Sequence, residues 1–277
     1  MKHFIEKAQE SLKSIFEIFL MIVAFLIPTI INATGWIELC FKNTKIDFDN
    51  IKYYFLMKTG NLTIGVLLTL FVLNTIRKNN KERIFNTKNV YHDYSYIWYW
   101  FCAKILGYKK CNLKLVPIYM QFKLGLNDTF DDYDVGLDDD YPIKENEQII
   151  IQKRNFNQVT NEINLVLADT YPIIESQLPI SKRGLYTIKI SRDQDDLSRH
   201  YSPEFIIKIT NEVRQLPGGI DSINIYATTN PKHTLKITRD VFKLAERGNV
   251  KKLVVFQQNK DGIRKFGKKG IVIFNKL

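Results

Sequence analysis

The chain has 277 residues, a formal charge of +11 and 45% apolar side chains, too apolar for a disordered tail and long enough to bury a core. Its three cysteines, Cys40, Cys102 and Cys111, are odd in number and lack C-x-x-C spacing, so they imply neither a disulfide framework nor a zinc site. The four histidines, His3, His92, His200 and His233, show no metal-ligand spacing either.

The first element is the run 15–33, IFEIFLMIVAFLIPTIINA, 19 residues with the single charge Glu17. It is long enough to cross a hydrocarbon core of about 30 Å as a helix. Lys2, Lys7 and Lys13 precede it, but no small-x-small cleavage site follows, so it reads as an uncleaved anchor. The second run, 62–76, LTIGVLLTLFVLNTI, has 15 residues and reaches 18 with Thr59, Gly60 and Asn61. Together the two runs predict a transmembrane hairpin over 1–76.

A basic segment follows: Arg77, Lys78, Lys81, Arg83 and Lys88 against Glu82. Beside a membrane span, such a block suits an anionic leaflet better than nucleic acid. The connection 34–61 holds four lysines diluted by Glu38, Asp47 and Asp49. The positive-inside rule therefore puts both termini in the cytoplasm and the connection outside. Segment 94–108, YSYIWYWFCAKILGY, has seven aromatic rings in fifteen residues. Tyr94, Trp98 and Trp100, with the basic residues, predict a membrane-interface segment over 77–111. The alternative is that these rings pack into a protein core.

The remainder, 112–277, predicts a cytosolic α/β domain that begins with a small β-leaning part at 113–124. Seven aspartates crowd 128–140, but with Gly136 at the loop glycine position an EF-hand would need Tyr133 and Val135 as ligands. A solvated acidic loop is the simpler reading. Candidate strands follow at 148–152, 163–168, 185–191, 222–227, 252–257 and 271–274, several as unbroken apolar runs that suit strands buried on both faces. Two helices are punctuated between them. Ser202 caps the first before Pro203, with Phe205, Ile209, Val213 and Leu216 on one face. Asn230 caps the second before Pro231, with Leu235, Val241, Phe242 and Ala245 inward and Gly248 at its end. The alternation predicts a mostly parallel sheet with right-handed crossovers and a final strand returning by a hairpin.

Ligands of open α/β sheets bind at the carboxyl ends of the strands. Those ends carry Asp169 and Thr170, then Ser191, Arg192 and Asp193, then Thr228, Thr229 and Asn230, then Gln257 and Gln258. The helix start after Asn230, beside Lys232 and His233, adds free N–H groups that suit a phosphate. The predicted ligand residues are therefore Asp169, Thr170, Arg192, Thr228, Thr229, Asn230 and Lys232, and the ligand a nucleotide-like anion. No cofactor or metal site is read, and no nucleophile–base spacing or nucleophile elbow. The polar loop Arg192, Asp193, Asp195, Asp196, Arg199 and His200, or Asp132 with Asp134, would serve a hydrolase or transferase.

The reading is a membrane-anchored sensor or effector, with the lipid bilayer and an anionic small molecule as partners. Its alternative is a docking subunit of a membrane complex or homo-oligomer. Abundant Asn, Lys and Ile point to an AT-rich bacterial genome, hence a multi-pass protein of the bacterial cell membrane.

Overall fold

The computed structural model describes residues 2–41, 47–136, 141–156, 160–192, 200–243, 250–259 and 262–276. The chain divides into two compact units, one of residues 1–90 and 97–111, the other of 91–96 and 112–277.

The first unit is built on two long helices, α1 (Lys2–Ile30) and α3 (Ile51–Asn80), joined through the short α2 (Ala33–Phe41). Gly60, at φ 83, interrupts α3 with non-helical backbone, which glycine alone adopts without a Cβ penalty. The straight part that follows, 61–80, runs about 30 Å at 1.5 Å per residue, so the second span is longer than its apolar run. Both helices point large apolar side chains outward: Phe16, Phe19, Ile22 and Phe25 from α1, Leu62, Leu67, Leu70 and Phe71 from α3. Outward apolar faces of this kind suit lipid, and both helices are long and apolar enough to cross a membrane.

Within the hairpin, contact depends on a small residue. A Cβ placed on Gly65 would lie 2.4 Å from the Phe25 carbonyl oxygen. Four residues on, Thr69 Oγ1 donates to Gly65 O at 2.8 Å and lies 3.5 Å from Met21 O. Asparagines fasten both ends. Asn61 Oδ1 accepts from Thr34 N at 2.8 Å, and its Nδ2 donates to Asn32 Oδ1 at 3.1 Å. Asn80, fully buried, donates to Glu17 Oε2 at 3.0 Å and Leu106 O at 3.1 Å, while Lys13 Nζ donates to its Oδ1 at 2.7 Å.

The aromatic segment is half core. In α4 (Tyr96–Lys104), Tyr99, Cys102 and Ala103 are buried, as are Leu106 and Tyr108 beyond it. Phe85 meets the Tyr99 and Tyr108 rings edge-on at 5.6 and 5.4 Å. Trp100 and Ile97 are exposed, Trp98 is half-buried and stacked on Phe101, and Tyr94 is half-buried against His92. Arg77, Lys78, Lys81 and Arg83 are all exposed.

A short strand, β1 (Lys110–Asn112), lies at the division between the units. The second unit then carries α5 (Ile118–Leu126), β2 (Asp132–Asp134), β3 (Ile149–Arg154), β4 (Glu162–Ala168), β5 (Tyr186–Arg192), α6 (Pro203–Arg214), β6 (Ser222–Ala227), α7 (Pro231–Lys236), β7 (Lys252–Phe256) and β8 (Ile271–Asn275). All six strands expected in the domain pair into one sheet, in the order β3-β5-β4-β6-β7-β8. The expectation of a mostly parallel sheet is corrected to a mixed one: β5, β4, β6 and β7 run parallel, while β3 and β8 pair antiparallel at the two edges. A short return suffices for β8, because its antiparallel pairing needs no crossover helix.

Two further expectations are corrected. The region 113–124 is not β-leaning; Pro117 precedes the helix α5, whose Met120, Gln121, Phe122 and Leu124 are buried. Phe122 reaches the Phe242 ring at 6.3 Å, and a Cβ on Gly125 would lie 2.5 Å from Thr238 Oγ1, so tertiary packing overrides the β-forming composition. After α7 the helix loosens into a π-helical stretch, Ile237–Lys243. The inward residues become His233, Thr234, Ile237, Thr238, Val241 and Phe242, with Leu235 only half-buried. Ala245 and Gly248 lie outside the described residues.

The caps form as expected: Ser202 Oγ accepts from Phe205 N, and Asn230 Oδ1 from His233 N. One face of the sheet packs Ile163, Leu165, Ile188, Ile190, Ile223 and Val255 against Phe205, Ile209 and Ile237. The other face packs Val166, Tyr226, Val254 and Phe256 under Ile173, Leu178 and Phe266. The β4–β5 connection thus covers one face and the helices the other. It changes face where it changes direction, as right-handed crossovers require.

The hairpin gives the first prediction. Gly65→Val forces its side chain into the Phe25 carbonyl and is expected to cost about 1–3 kcal/mol. A lower melting temperature of the full chain in detergent checks it; an unchanged melt would mean that the helices do not approach at Gly65.

Candidate functional site

The carboxyl ends of β5, β4, β6 and β7 lie side by side along one sheet edge, and beneath that edge sits a polar network. Asp169, just past β4, is 2% exposed, and Arg192, at the end of β5, is 4% exposed. Arg192 Nη1 donates to Asp169 Oδ1 at 2.5 Å, and its Nε donates to both Glu147 oxygens at 2.9 and 3.1 Å. Its Nη2 meets His200 Nε2, which lies 3.1 Å from Glu147 Oε1. The second Asp169 oxygen accepts from Asn230 N at 2.8 Å and from His233 Nδ1 at 2.7 Å.

The His233 tautomer follows from its neighbours. Nε2 accepts the Ser202 backbone N–H at 2.8 Å, so that nitrogen carries no proton and Nδ1–H faces Asp169. Asn230 Nδ2 also donates to His200 O at 3.3 Å. Burial alone would raise the Asp169 carboxyl pKa. The adjoining His233 imidazole, the Arg192 guanidinium and the Asn230 N–H outweigh it and hold the carboxyl below its ordinary 3.8.

Above this network opens a cavity of about 350 Å³ between the ends of β4, β6 and β7. Thr170 and Tyr171 come from β4, Thr228 and Thr229 from β6, Gln257, Gln258 and Asn259 from β7, with Arg264, Tyr91 and Ile118 completing the wall. The connections leaving β4 and β6 run over opposite faces, so the cavity occupies the crevice where α/β sheets take their ligands. Thr228 Oγ1 donates to Tyr171 O at 2.8 Å and Thr170 Oγ1 to Thr228 O at 2.6 Å, which fixes both turns. The Arg264 guanidinium lies 4.6 Å from the Tyr171 ring centroid. Gln257 Oε1 accepts from Ile118 N at 3.1 Å. Gln258 Nε2 is buried and has no hydrogen-bond partner among the described residues. The Tyr91 hydroxyl is pushed up to about 12, by burial first and then by Tyr119 and Asp93.

The seven expected ligand residues therefore separate. Thr170, Thr228 and Thr229 line the cavity. Asp169, Arg192 and Asn230 belong to the network beneath. Lys232 stands over the Tyr201 ring at 5.2 Å, outside the cavity wall. At the helix start expected to suit a phosphate, the N-cap Asn230 N–H is bonded to the Asp169 carboxylate. Asp193, Asp195, Asp196 and Arg199 lie outside the described residues, whereas His200 joins the network.

Sequence reasoning missed Glu147, 45 residues from Arg192, and the wall residues Tyr91, Tyr171 and Asn259, which no local signal marks. Arg264 sits in sequence within a basic stretch, Lys260, Arg264, Lys265, Lys268 and Lys269, which by itself marks no site. In the acidic run, Asp132 and Asp134 accept from the backbone N–H groups of Tyr133 and Gly136, and Asp128 pairs with Lys243. Residues 137–140 of that run lie outside the described residues.

Compared with known families, residues 1–273 match the model of SUa-2TM, the SMODS- and Ubiquitin system-associated 2TM effector domain. No curated protein matches the chain. Among solved structures it is similar to the Acinetobacter baumannii Cap4 SAVED/CARF-domain containing receptor with the cyclic trinucleotide 3'3'3'-cAAA. The likeness has 9% identity and a TM-score of 0.46 over 84% of this chain, which spans 63% of that receptor's chain.

The network gives the second prediction. Asp169→Ala leaves Arg192 buried with one carboxylate fewer and is expected to cost about 3–5 kcal/mol, read as a lower midpoint in urea. Because the folded carboxyl titrates below the unfolded value of 3.8, its contribution is complete above that value and is lost as pH falls through the folded pKa. A loss of stability setting in below about pH 4, weaker in Asp169→Asn, checks the sign.

Proposed function

The chain belongs to the SUa-2TM family of effector domains, and from that membership together with the strand-end cavity we propose that it is a membrane effector switched by a nucleotide-like anion. The sheet domain takes the ligand and the two-helix hairpin carries out the response in the bilayer. The observation that carries this reading is the chemistry of the cavity wall. The amides of Gln258 and Asn259 suit the polar edge of a base, while that of Gln257 is held by Ile118 N and Gln258 O. Tyr171 and the Arg264 guanidinium over its ring supply an aromatic face and a positive charge that would suit a phosphate. The partnerless Gln258 Nε2 is a donor that such a ligand would satisfy.

The reading is of binding rather than turnover. The acid–base groups of the polar network are engaged: His233 through both ring nitrogens, Asp169 through both oxygens, Glu147 with Arg192. A group so occupied has no free site to exchange a proton with a ligand.

The membrane part of the proposal has both termini in the cytoplasm and the connection 34–61 outside. Arg77, Lys78, Lys81 and Arg83, all exposed, would meet the anionic inner leaflet, each contributing about 1 kcal/mol near the surface. Exposed Trp100, with the half-buried Tyr94 and Trp98, would lie at the same level.

Two measurements test this. Full-length protein in detergent, titrated calorimetrically with mononucleotides and cyclic dinucleotides, is expected to bind at least one of them, and Arg264→Glu to weaken that binding by about tenfold or more. Folded protein that binds none of them overturns the ligand. For topology, exposed Cys40 should label in intact cells with an impermeant thiol reagent. Buried Cys102, its thiol pushed up to about 12 by burial, should stay silent. An Asp132→Cys reporter should label only after lysis; labelling it from outside overturns the orientation.

A further inference from the structure

On the sheet face that carries the β4–β5 connection, a second cavity of about 200 Å³ opens over β3, β5 and β4. Its floor is a row of direct cross-strand neighbours, Gln152, Lys189 and Val166. The residues of β5 alternate: Ile188 and Ile190 enter the core, and Thr187 and Lys189 turn to this opposite face. The connection roofs one side with buried Ile173 and Leu178.

Three cations, Arg154, Arg183 and Lys189, converge on this cavity against one carboxylate, Glu175. Glu175 is taken by Arg154. Arg183 is oriented by the chain itself, Nε donating to Leu178 O at 3.0 Å and Nη2 to Ser176 O at 2.7 Å. Those bonds satisfy part of its fork but supply no negative charge. Lys189 has no ion pair among the described residues, and burial followed by the Arg154 guanidinium holds its ammonium below the ordinary lysine range.

Three cations and one carboxylate leave a surplus of two positive charges in a partly enclosed site. Arg183 and Lys189 are half-buried and unpaired with any carboxylate among the described residues, while Arg154 is exposed and shares Glu175; the excess of positive charge at the half-buried pair is relieved by an anion. A phosphate monoester carries about −1.5 to −2 at neutral pH and three acceptor oxygens, which matches the surplus. The apolar wall of Val166, Ile173 and Leu178 has nothing to offer inorganic phosphate, but accepts a small ring or short alkyl group attached to it. The volume is below the usual range for a drug-sized ligand, which limits that group to a few atoms.

We propose that this cavity is a second, separate anion site that binds a small phosphate monoester, with Lys189, Arg154 and Arg183 on the phosphate and Val166, Ile173 and Leu178 on its apolar substituent. The test uses the full chain in detergent, with phenyl phosphate and inorganic phosphate as calorimetric probes. Phenyl phosphate is expected to bind more tightly than inorganic phosphate. Lys189→Glu and the milder Lys189→Met are expected to weaken it by about tenfold or more, with melting curves reporting that both variants fold. Lys208→Glu, which makes the same charge change on the exposed side of α6, is expected to leave it unchanged. Folded wild-type protein that binds neither probe overturns the proposal, and so does unchanged affinity in both Lys189 variants. Loss of phenyl phosphate binding in Arg264→Glu with retention in Lys189→Glu would assign the anion to the strand-end cavity instead, and would leave the nucleotide reading standing while this one fails.

Discussion

Arg192 and Asp169 are both withdrawn from water, and each charge is held there by the other and by further partners, Glu147 on Arg192 and His233 with Asn230 on Asp169. Several kcal/mol of desolvation per ion is offset only where geometry and extra hydrogen bonds are nearly complete. Here they are: Glu147 covers Nε, His200 meets Nη2, and Asp169 uses its second oxygen on Asn230 and His233. This cluster fastens the ends of β5 and β4 to the segment entering β3, to the start of α6 through Ser202, and to the start of α7. The turns that shape the strand-end cavity, 169–171 and 228–230, are held from below by it.

This explains why the expected ligand residues divide into two groups. An aspartate and an arginine at strand ends carry the same sequence signature whether they face a ligand or each other. The deciding partner, Glu147, comes from a remote segment that no spacing rule connects to Arg192. At the helix start after Asn230, the N-cap backbone N–H is taken by the Asp169 carboxylate. What faces the open cavity is less conspicuous in a sequence: threonine hydroxyls, three amides, a tyrosine ring and one arginine from a block of positive charge.

The strands and capped helices of the sheet domain were legible because each has a local cause. Unbroken apolar runs needed burial on both faces, and Ser202-Pro203 and Asn230-Pro231 fixed two helix starts within a residue. Elements whose cause is distant were not legible. Nothing near 118–126 announces a helix, because its stability comes from Phe122 against Phe242 and from Gly125 under Thr238. The antiparallel edge pairing of β3 and the π-helical turns after Lys236 are likewise set by neighbours in space. For the aromatic segment, composition left a membrane interface and a protein core both open; Tyr99 is buried and Trp100 is exposed.

The mixed sheet leaves β3 and β8 as its two outer strands, and an open strand edge is a template on which a second chain can extend the ladder. The apolar start of β3, Ile149–Ile151, is the kind of sequence that invites this. The strand closes with Lys153 and Arg154, held in ion pairs with Glu212 and Glu175, and Lys276 follows β8. Charges at those positions discourage uncontrolled edge-to-edge pairing with a second chain. The charged ends of its outer strands thus guard the sheet against fibrous aggregation.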